Sequence, residues 1–131
     1  MGDLNLTVKK SIPEGEVKRL LEEADWGQGR LPAHITQQIE ASDIVFSVWD
    51  ATKIVAFARV ITDFSYVVIA LDFIVSKNYQ GKGVGQRLMK AILGQPDLLG
   101  IKKWVVFSPV NQEFFEQFNF EKSDEAMVRY G

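Results

Sequence analysis

The chain has 131 residues, 47% hydrophobic and 24% charged, which is the balance of a folded globular domain and excludes a disordered one. Its 15 basic and 17 acidic residues give a formal charge of −2, and no run of Lys or Arg offers a surface for nucleic acid. The lack of cysteine excludes disulfides, thiolate metal sites and a cysteine nucleophile, and a single histidine, His34, excludes an all-histidine metal centre.

Leu4, Leu6 and Val8 alternate with polar residues, the pattern of a half-buried strand. Pro13 suits the first turn of a helix, and Val17, Leu20, Leu21 and Ala24 follow at helical spacing. The stretch from Asp25 to Pro32 predicts a loop, after which Ile35 and Ile39 predict a short second helix. Ile44 to Trp49 and Lys53 to Ile61 are rich in Val, Ile and Phe, with Asp50-Ala51-Thr52 as a hairpin turn between them. A further strand is expected from Tyr66 to Val75 after a turn at Thr62 to Ser65.

Val84, Leu88, Ala91 and Ile92 share one helical face, and Gly94 with Pro96 ends that helix. Lys102 to Ser108 predicts a buried strand broken by Pro109-Val110. Asn111 is a favourable N-cap for a short helix over Gln112 to Phe118. Phe120 to Tyr130 has material for one or two more strands. The order β-α-α-β-β-β-α-β-α-β predicts an α/β fold: one mixed sheet with helices on both faces. No repeat or linker divides the chain, so a single domain over 1–131 is expected. Met1 to Leu4 show no secretion signal, and the longest apolar run, Tyr66 to Leu71, cannot span a bilayer. A cytoplasmic protein without a membrane partner is expected.

The most informative segment runs from Leu71 to Gly85. An apolar strand ends, a polar loop follows, and Gly81, Gly83 and Gly85 open an amphipathic helix. The first N–H groups of a helix lack intrahelical partners and carry partial positive charge, so such a junction holds phosphate wherever bulk is absent. Glycines at a helix start cost roughly 0.5–1 kcal/mol each relative to Ala, so three in five residues ask for a reason. A P-loop fails because Gln86-Arg87 follow Gly85. The dinucleotide fingerprint fails because Gln86 occupies its third glycine position. Gln/Arg-x-x-Gly-x-Gly/Ala is matched in full by Gln80 to Gly85.

With Leu71-Asp72-Phe73-Ile74-Val75 before that loop and Arg87-Leu88-Met89 after it, the chain resembles the GNAT superfamily of acyl-CoA-dependent N-acyltransferases. Asn111 to Phe120 is similar to a shortened form of the family's Asn-x-x-x-x-Phe-Tyr-x-x-x-Gly-Phe segment. The resemblance implies a central, mostly antiparallel mixed sheet of six or seven strands flanked by about four helices. It implies acetyl-CoA as the acyl donor and no metal. The pyrophosphate would lie on the backbone of Gln80, Gly81, Lys82, Gly83, Val84 and Gly85. The pantetheine arm would lie along Phe73, Ile74 and Val75, with Asn111 and Phe115 beside the cofactor. An N–H near Ile74 would face the developing oxyanion.

The acceptor implied is a primary amine on a small molecule or peptide. Trp26, Arg30 and His34 border the expected acceptor pocket, and Asp72 is the candidate base, against a plain reading as an acid satisfied by backbone donors or Arg59. A protein N-terminus or lysine is a further acceptor reading, and pairing into a homodimer stays open. The chain departs from the family pattern at two positions. Phe115 stands where many members carry a proton-donating tyrosine, and Asn119 replaces a glycine. Another acid such as Ser108 or Tyr79, release of thiolate to solvent, and loss of catalysis all stay open. The last of these makes a non-catalytic acyl-CoA-binding or sensing domain the alternative function.

Overall fold

The structure, a computed structural model, describes residues 3–108 and 111–131. In chain order it contains β1 (Leu4–Val8), α1 (Glu14–Leu21), α2 (Pro32–Ala41), β2 (Ile44–Asp50), β3 (Lys53–Thr62), β4 (Val67–Val75), α3 (Val84–Leu93), β5 (Lys103–Val106) and α4 (Gln112–Glu116). Short 3-10 turns lie at Asp25–Gly27, Lys77–Tyr79 and Pro96–Leu98. The sheet runs β1-β2-β3-β4-β5, antiparallel throughout except for the parallel pair β4 and β5.

Helices cover both faces. On one, α1 and α2 press Val17, Leu20, Leu21, Ile35 and Ile39 onto Val45, Ile54, Phe57 and Ile74. On the other, α3 presses Val84, Leu88, Met89 and Ile92 onto Phe46, Val48, Ala56, Ala58, Val60 and Val68. This is why Ile44 to Val48 is almost wholly apolar: a strand covered on both sides has no face left for polar residues, and its one hydroxyl, on Ser47, is hydrogen-bonded to Thr7. Each fully buried Leu or Ile here stabilises the fold by about 1.5–3 kcal/mol.

Two irregularities in β4 shape this edge of the sheet. In the β3–β4 ladder Phe57 faces Ile74 and Arg59 faces Leu71, so Asp72 and Phe73 together oppose Ala58. The extra residue is accommodated at Asp72, whose φ of 55° lies in the left-handed region that Asp tolerates better than most side chains. The β4–β5 ladder runs from Val67 opposite Lys103 to Ala70 opposite Val106 and stops there. Beyond Ala70, β4 continues along β3, and among the described residues no strand pairs with its far edge from Leu71 to Val75.

The expected strands in the tail do not form. Every residue from Glu121 onward is exposed and outside regular structure, with Met127 98% and Tyr130 89% exposed. The sheet is therefore five-stranded among the described residues, not six- or seven-stranded. The apolar residues between Ala126 and Tyr130 have no covered face, and Lys122 to Glu125 lead into them with charge; an ion pair, Lys103 Nζ to Glu125 Oε2 at 3.1 Å, holds the tail to β5. Asn111 precedes α4 but makes no capping bond through its side chain, because its backbone is left-handed (φ 60°). The expected break at Pro109-Val110 lies outside the described residues. Asn119 takes the glycine-like φ of 68°.

Candidate active site

The glycine loop is built from its flanks. Glu23, just past α1, accepts the Ser76 hydroxyl at 2.9 Å and the Lys77 N–H at 2.8 Å, fixing the chain as it leaves β4. Tyr79 donates its hydroxyl to Asp50 at the end of β2. That hydrogen bond holds the phenol above its ordinary pKa, so Tyr79 is a weaker acid than a free tyrosine. The Gln80 side chain donates to Val75 O at 3.0 Å, and Lys82 Nζ donates to Asn78 O at 3.1 Å.

Gly81 and Gly83 have φ values of 73° and 81°, and a Cβ at either would meet no atom within 4 Å. They are required by the turn, and they leave the approach to α3 clear. Arg87 N–H closes the first turn of α3 onto Gly83 O at 3.0 Å. By helix geometry the amides of Val84, Gly85 and Gln86 have no intrahelical acceptor, and no side chain caps this end. Gly85 has a different cause: a Cβ there would sit 3.1 Å from the Phe114 ring. The third glycine is thus explained by packing between α3 and α4, not by ligand approach.

At the bulge, Asp72 is enclosed by two cations. Arg30 donates from Nη1 and Nη2 to Oδ2 and Oδ1 at 2.7 and 2.9 Å, and Arg59 Nε donates to Oδ2 at 2.7 Å. Burial pushes the Asp72 carboxyl up, but the hydrogen bonds and charges of Arg30 and Arg59 outweigh it and hold the group below its ordinary pKa. A carboxylate so held is a poor base, which is the reading of Asp72 as an acid satisfied by Arg59, with Arg30 added.

Arg30 also donates to Gln38 Oε1 at 3.1 Å, and its guanidinium carbon lies 5.9 Å from the Trp26 ring centroid. Trp26, Arg30 and Asp72 are thus brought together at the β4 bulge. His34 is exposed on the first turn of α2 and takes no part in this network.

On the opposite side of the bulge Phe73 meets Phe114 and Phe115, with ring centroids 5.4 and 5.5 Å apart. Phe115 is 6% exposed and also packs edge-on against Phe114 and Phe120. Its ring is a core element, because every neighbour it has in this cluster is apolar; it does not line an open surface as expected of a cofactor contact. Asn111 is exposed at the start of α4. Glu23, Asp50 and the Phe114–Gly85 contact escaped sequence reasoning. Glu23 and Ser76 are 53 residues apart, and nothing local in the chain announces such a pair.

The part of β4 from Leu71 to Val75 that carries the left-handed bulge has no ladder partner on its far side among the described residues, and the N-terminus of α3 that follows it has no side-chain cap. Among the described residues, no group of three His, Cys, Asp or Glu side chains could hold a metal, and no helix is long and apolar enough to cross a membrane.

A family model for the acetyltransferase (GNAT) domain matches residues 41–122, which span β2 to the segment after α4. The chain belongs to the GNAT acetyltransferase family. A GNAT-family protein from Xanthomonas campestris pv. campestris superposes with a TM-score of 0.87 at 24% identity, over 100% of this chain and 95% of its own. A GNAT-family acetyltransferase from Streptococcus pneumoniae TIGR4 gives 0.80 at 19%, over 98% of both chains. An aminoglycoside N-acetyltransferase solved with CoA gives 0.78 at 15%, over 100% of this chain and 97% of its own. At such identities these likenesses show the fold alone. No curated protein is significantly similar in sequence. Members of this family generally draw the acetyl group from acetyl-CoA.

Proposed function

We propose that this chain is a single-domain cytoplasmic N-acetyltransferase that moves acetyl from acetyl-CoA to a primary amine of a small molecule or peptide. The observation that carries the reading is the parting of β4 from β5 after Ala70, directly upstream of the glycine loop. A pantetheine arm would add to the open edge at Phe73, Ile74 and Val75 as an extra strand, with Asn111 beyond the parting. Gln80, Gly81, Lys82, Gly83, Val84 and Gly85 would receive the pyrophosphate, chiefly through backbone N–H groups. The residues present fit that ligand: no Cβ obstructs Gly81 or Gly83, and nothing in the side chains caps α3.

The neutral amine attacks the thioester carbonyl, a C–N bond forms, the C–S bond breaks, and the amine proton ends on the CoA thiol. An N–H near Ile74 stabilises the oxygen as charge develops on it. Most of the acceleration comes from alignment of amine and thioester, since neither Asp72 nor Phe115 is suited to proton transfer. Trp26 and Arg30 border the acceptor.

The test uses the absence of cysteine: a thiol reagent then detects released CoA alone. Calorimetric binding of CoA with thiol release on some member of an amine panel supports the reading, and failure to bind CoA sinks it. The buried, apolar setting of Phe115 favours one second reading, a non-catalytic acyl-CoA-binding domain. CoA binding without turnover across a broad panel would select that instead.

A further inference from the structure

The bulge residue Asp72 joins three parts of the chain through one carboxylate. Arg30 reaches it from the loop between α1 and α2, where that loop also carries Trp26; Arg59 reaches it from β3. The side chain of Asp72 is 9% exposed, and those of Arg30 and Arg59 are 21% and 14% exposed, so water screens the group weakly. The loop end of the link is itself held: Gln38 of α2 accepts from Arg30 Nη1, and Lys18 of α1 donates to Arg30 O at 2.7 Å. At the strand end, the next residue, Phe73, packs on Phe114, whose ring lies against Gly85 of α3. One bulge therefore touches the acceptor-side loop through Asp72 and the helix of the glycine loop through Phe73.

We propose that Asp72 is a positioning residue that fixes the α1–α2 loop to the β4 bulge through Arg30, so that the amine-binding side and the donor strand hold one relative geometry. This rests on the acetyl-transfer reading for its effect on rate. Alignment is where such a link acts, because a displacement of about 1 Å at a reacting pair can cost about 100-fold in rate. The left-handed backbone of Asp72 adds to the case: a strained conformation persists only where its surroundings over-determine it, and here two guanidiniums do so.

The experiment compares Asp72→Asn, which keeps the shape and removes the charge, with wild type. Amide hydrogen exchange over residues 25–31 is expected to accelerate about 10-fold or more beyond whatever change β2 and β3 show from lower global stability. With acetyl-CoA and spermidine, tyramine, lysine and glucosamine as acceptors, kcat/KM for a productive amine is expected to fall about 10- to 100-fold through its KM. The KM for acetyl-CoA should stay the same, and the pH profile should keep its shape. Arg30→Lys should recover part of what Arg30→Ala loses, and this pair carries the comparison if the Asp72→Asn protein does not fold.

Loss of the acidic limb of the pH profile with an unchanged amine KM would make Asp72 a base and overturn the proposal. Unchanged exchange in the loop would overturn it too, as would a uniform loss of every parameter in step with unfolding. A wild-type protein that neither binds CoA nor releases thiol would overturn the transfer reading, while the exchange arm would still decide whether Asp72 holds the loop.

Discussion

Arg30 and Asp72, 42 residues apart in the chain, meet in a two-point ion pair of 2.7 and 2.9 Å, and Arg59 closes on the same carboxylate at 2.7 Å. Removing the acid leaves two cations in a place that water reaches poorly. Asp72→Ala is expected to destabilise the protein by about 3 kcal/mol, the lower end for breaking a buried pair because Arg30 keeps some solvent contact. Urea unfolding of the two proteins measures it.

The same group sets a pH dependence with a definite sign. Its pKa is lower folded than the unfolded reference of 3.8, so in the window at and below that value the unfolded chain binds more protons. Stability from Asp72 is complete above the unfolded value and is lost as pH falls through the folded one. The difference in unfolding free energy between wild type and Asp72→Asn should therefore be constant near neutrality and shrink in acid. Urea titrations from pH 7 downward test this, and a gap that widened in acid would contradict it.

The glycines separate by role. Gly85→Ala drives a methyl into the Phe114 ring and should cost about 1–3 kcal/mol of stability. Shrinking the ring with Phe114→Leu should relieve that cost, so a double-mutant cycle should show coupling of at least about 0.5 kcal/mol. Gly83→Ala meets open space but must hold φ 81°. It should cost about 1–2 kcal/mol and leave the cycle with Phe114 additive. CoA affinity, measured by calorimetry, should fall more for Gly83→Ala.

Restoring a tyrosine at position 115 should not restore an acid. The ring is enclosed by Phe73, Phe114 and Phe120, so the hydroxyl of Phe115→Tyr enters an apolar cluster without a partner. A loss of about 1–3 kcal/mol in stability, with no rise in kcat, is the expected outcome. A higher kcat in the thiol-release assay would show that the new hydroxyl reaches the leaving thiolate.

Legibility in the sequence depends on the range of each signal. Period-two and helical patterns act over a few residues, so β1 to β4 and α3 stand within a residue or two of expectation, while α1 ends at Leu21, three residues short of Ala24. The left-handed turns at Gly81 and Gly83 are legible as glycines needing a cause. The cause of Gly85 is not, since Phe114 sits on a helix that only the fold brings near. The tail departs from expectation for a related reason: β propensity at Met127 and Val128 cannot make a strand without an edge and a covering face. Asp72 lies between two readings, and the one with Arg59 matches the geometry. Arg30 is legible as a candidate site residue, but its carboxylate partner Asp72 is invisible in the chain. Long-range ion pairs leave no trace in local pattern.

The order of the sheet has a consequence for how the molecule assembles. From β1 to β4 every strand pairs with its neighbour in sequence, and the hairpin contacts of β2 to β4 are expected to form early because little loop entropy opposes them. The strand β5 arrives only after the crossover through α3, with a ladder that ends at Ala70, and α4 then docks on Gly85 and Phe73. That half is therefore expected to lock last and open first, which hydrogen exchange over β5 and α4 against β2 and β3 would test. A ligand that binds only the locked form would act as a folding clamp, adding about 2.7 kcal/mol at 100 times its dissociation constant.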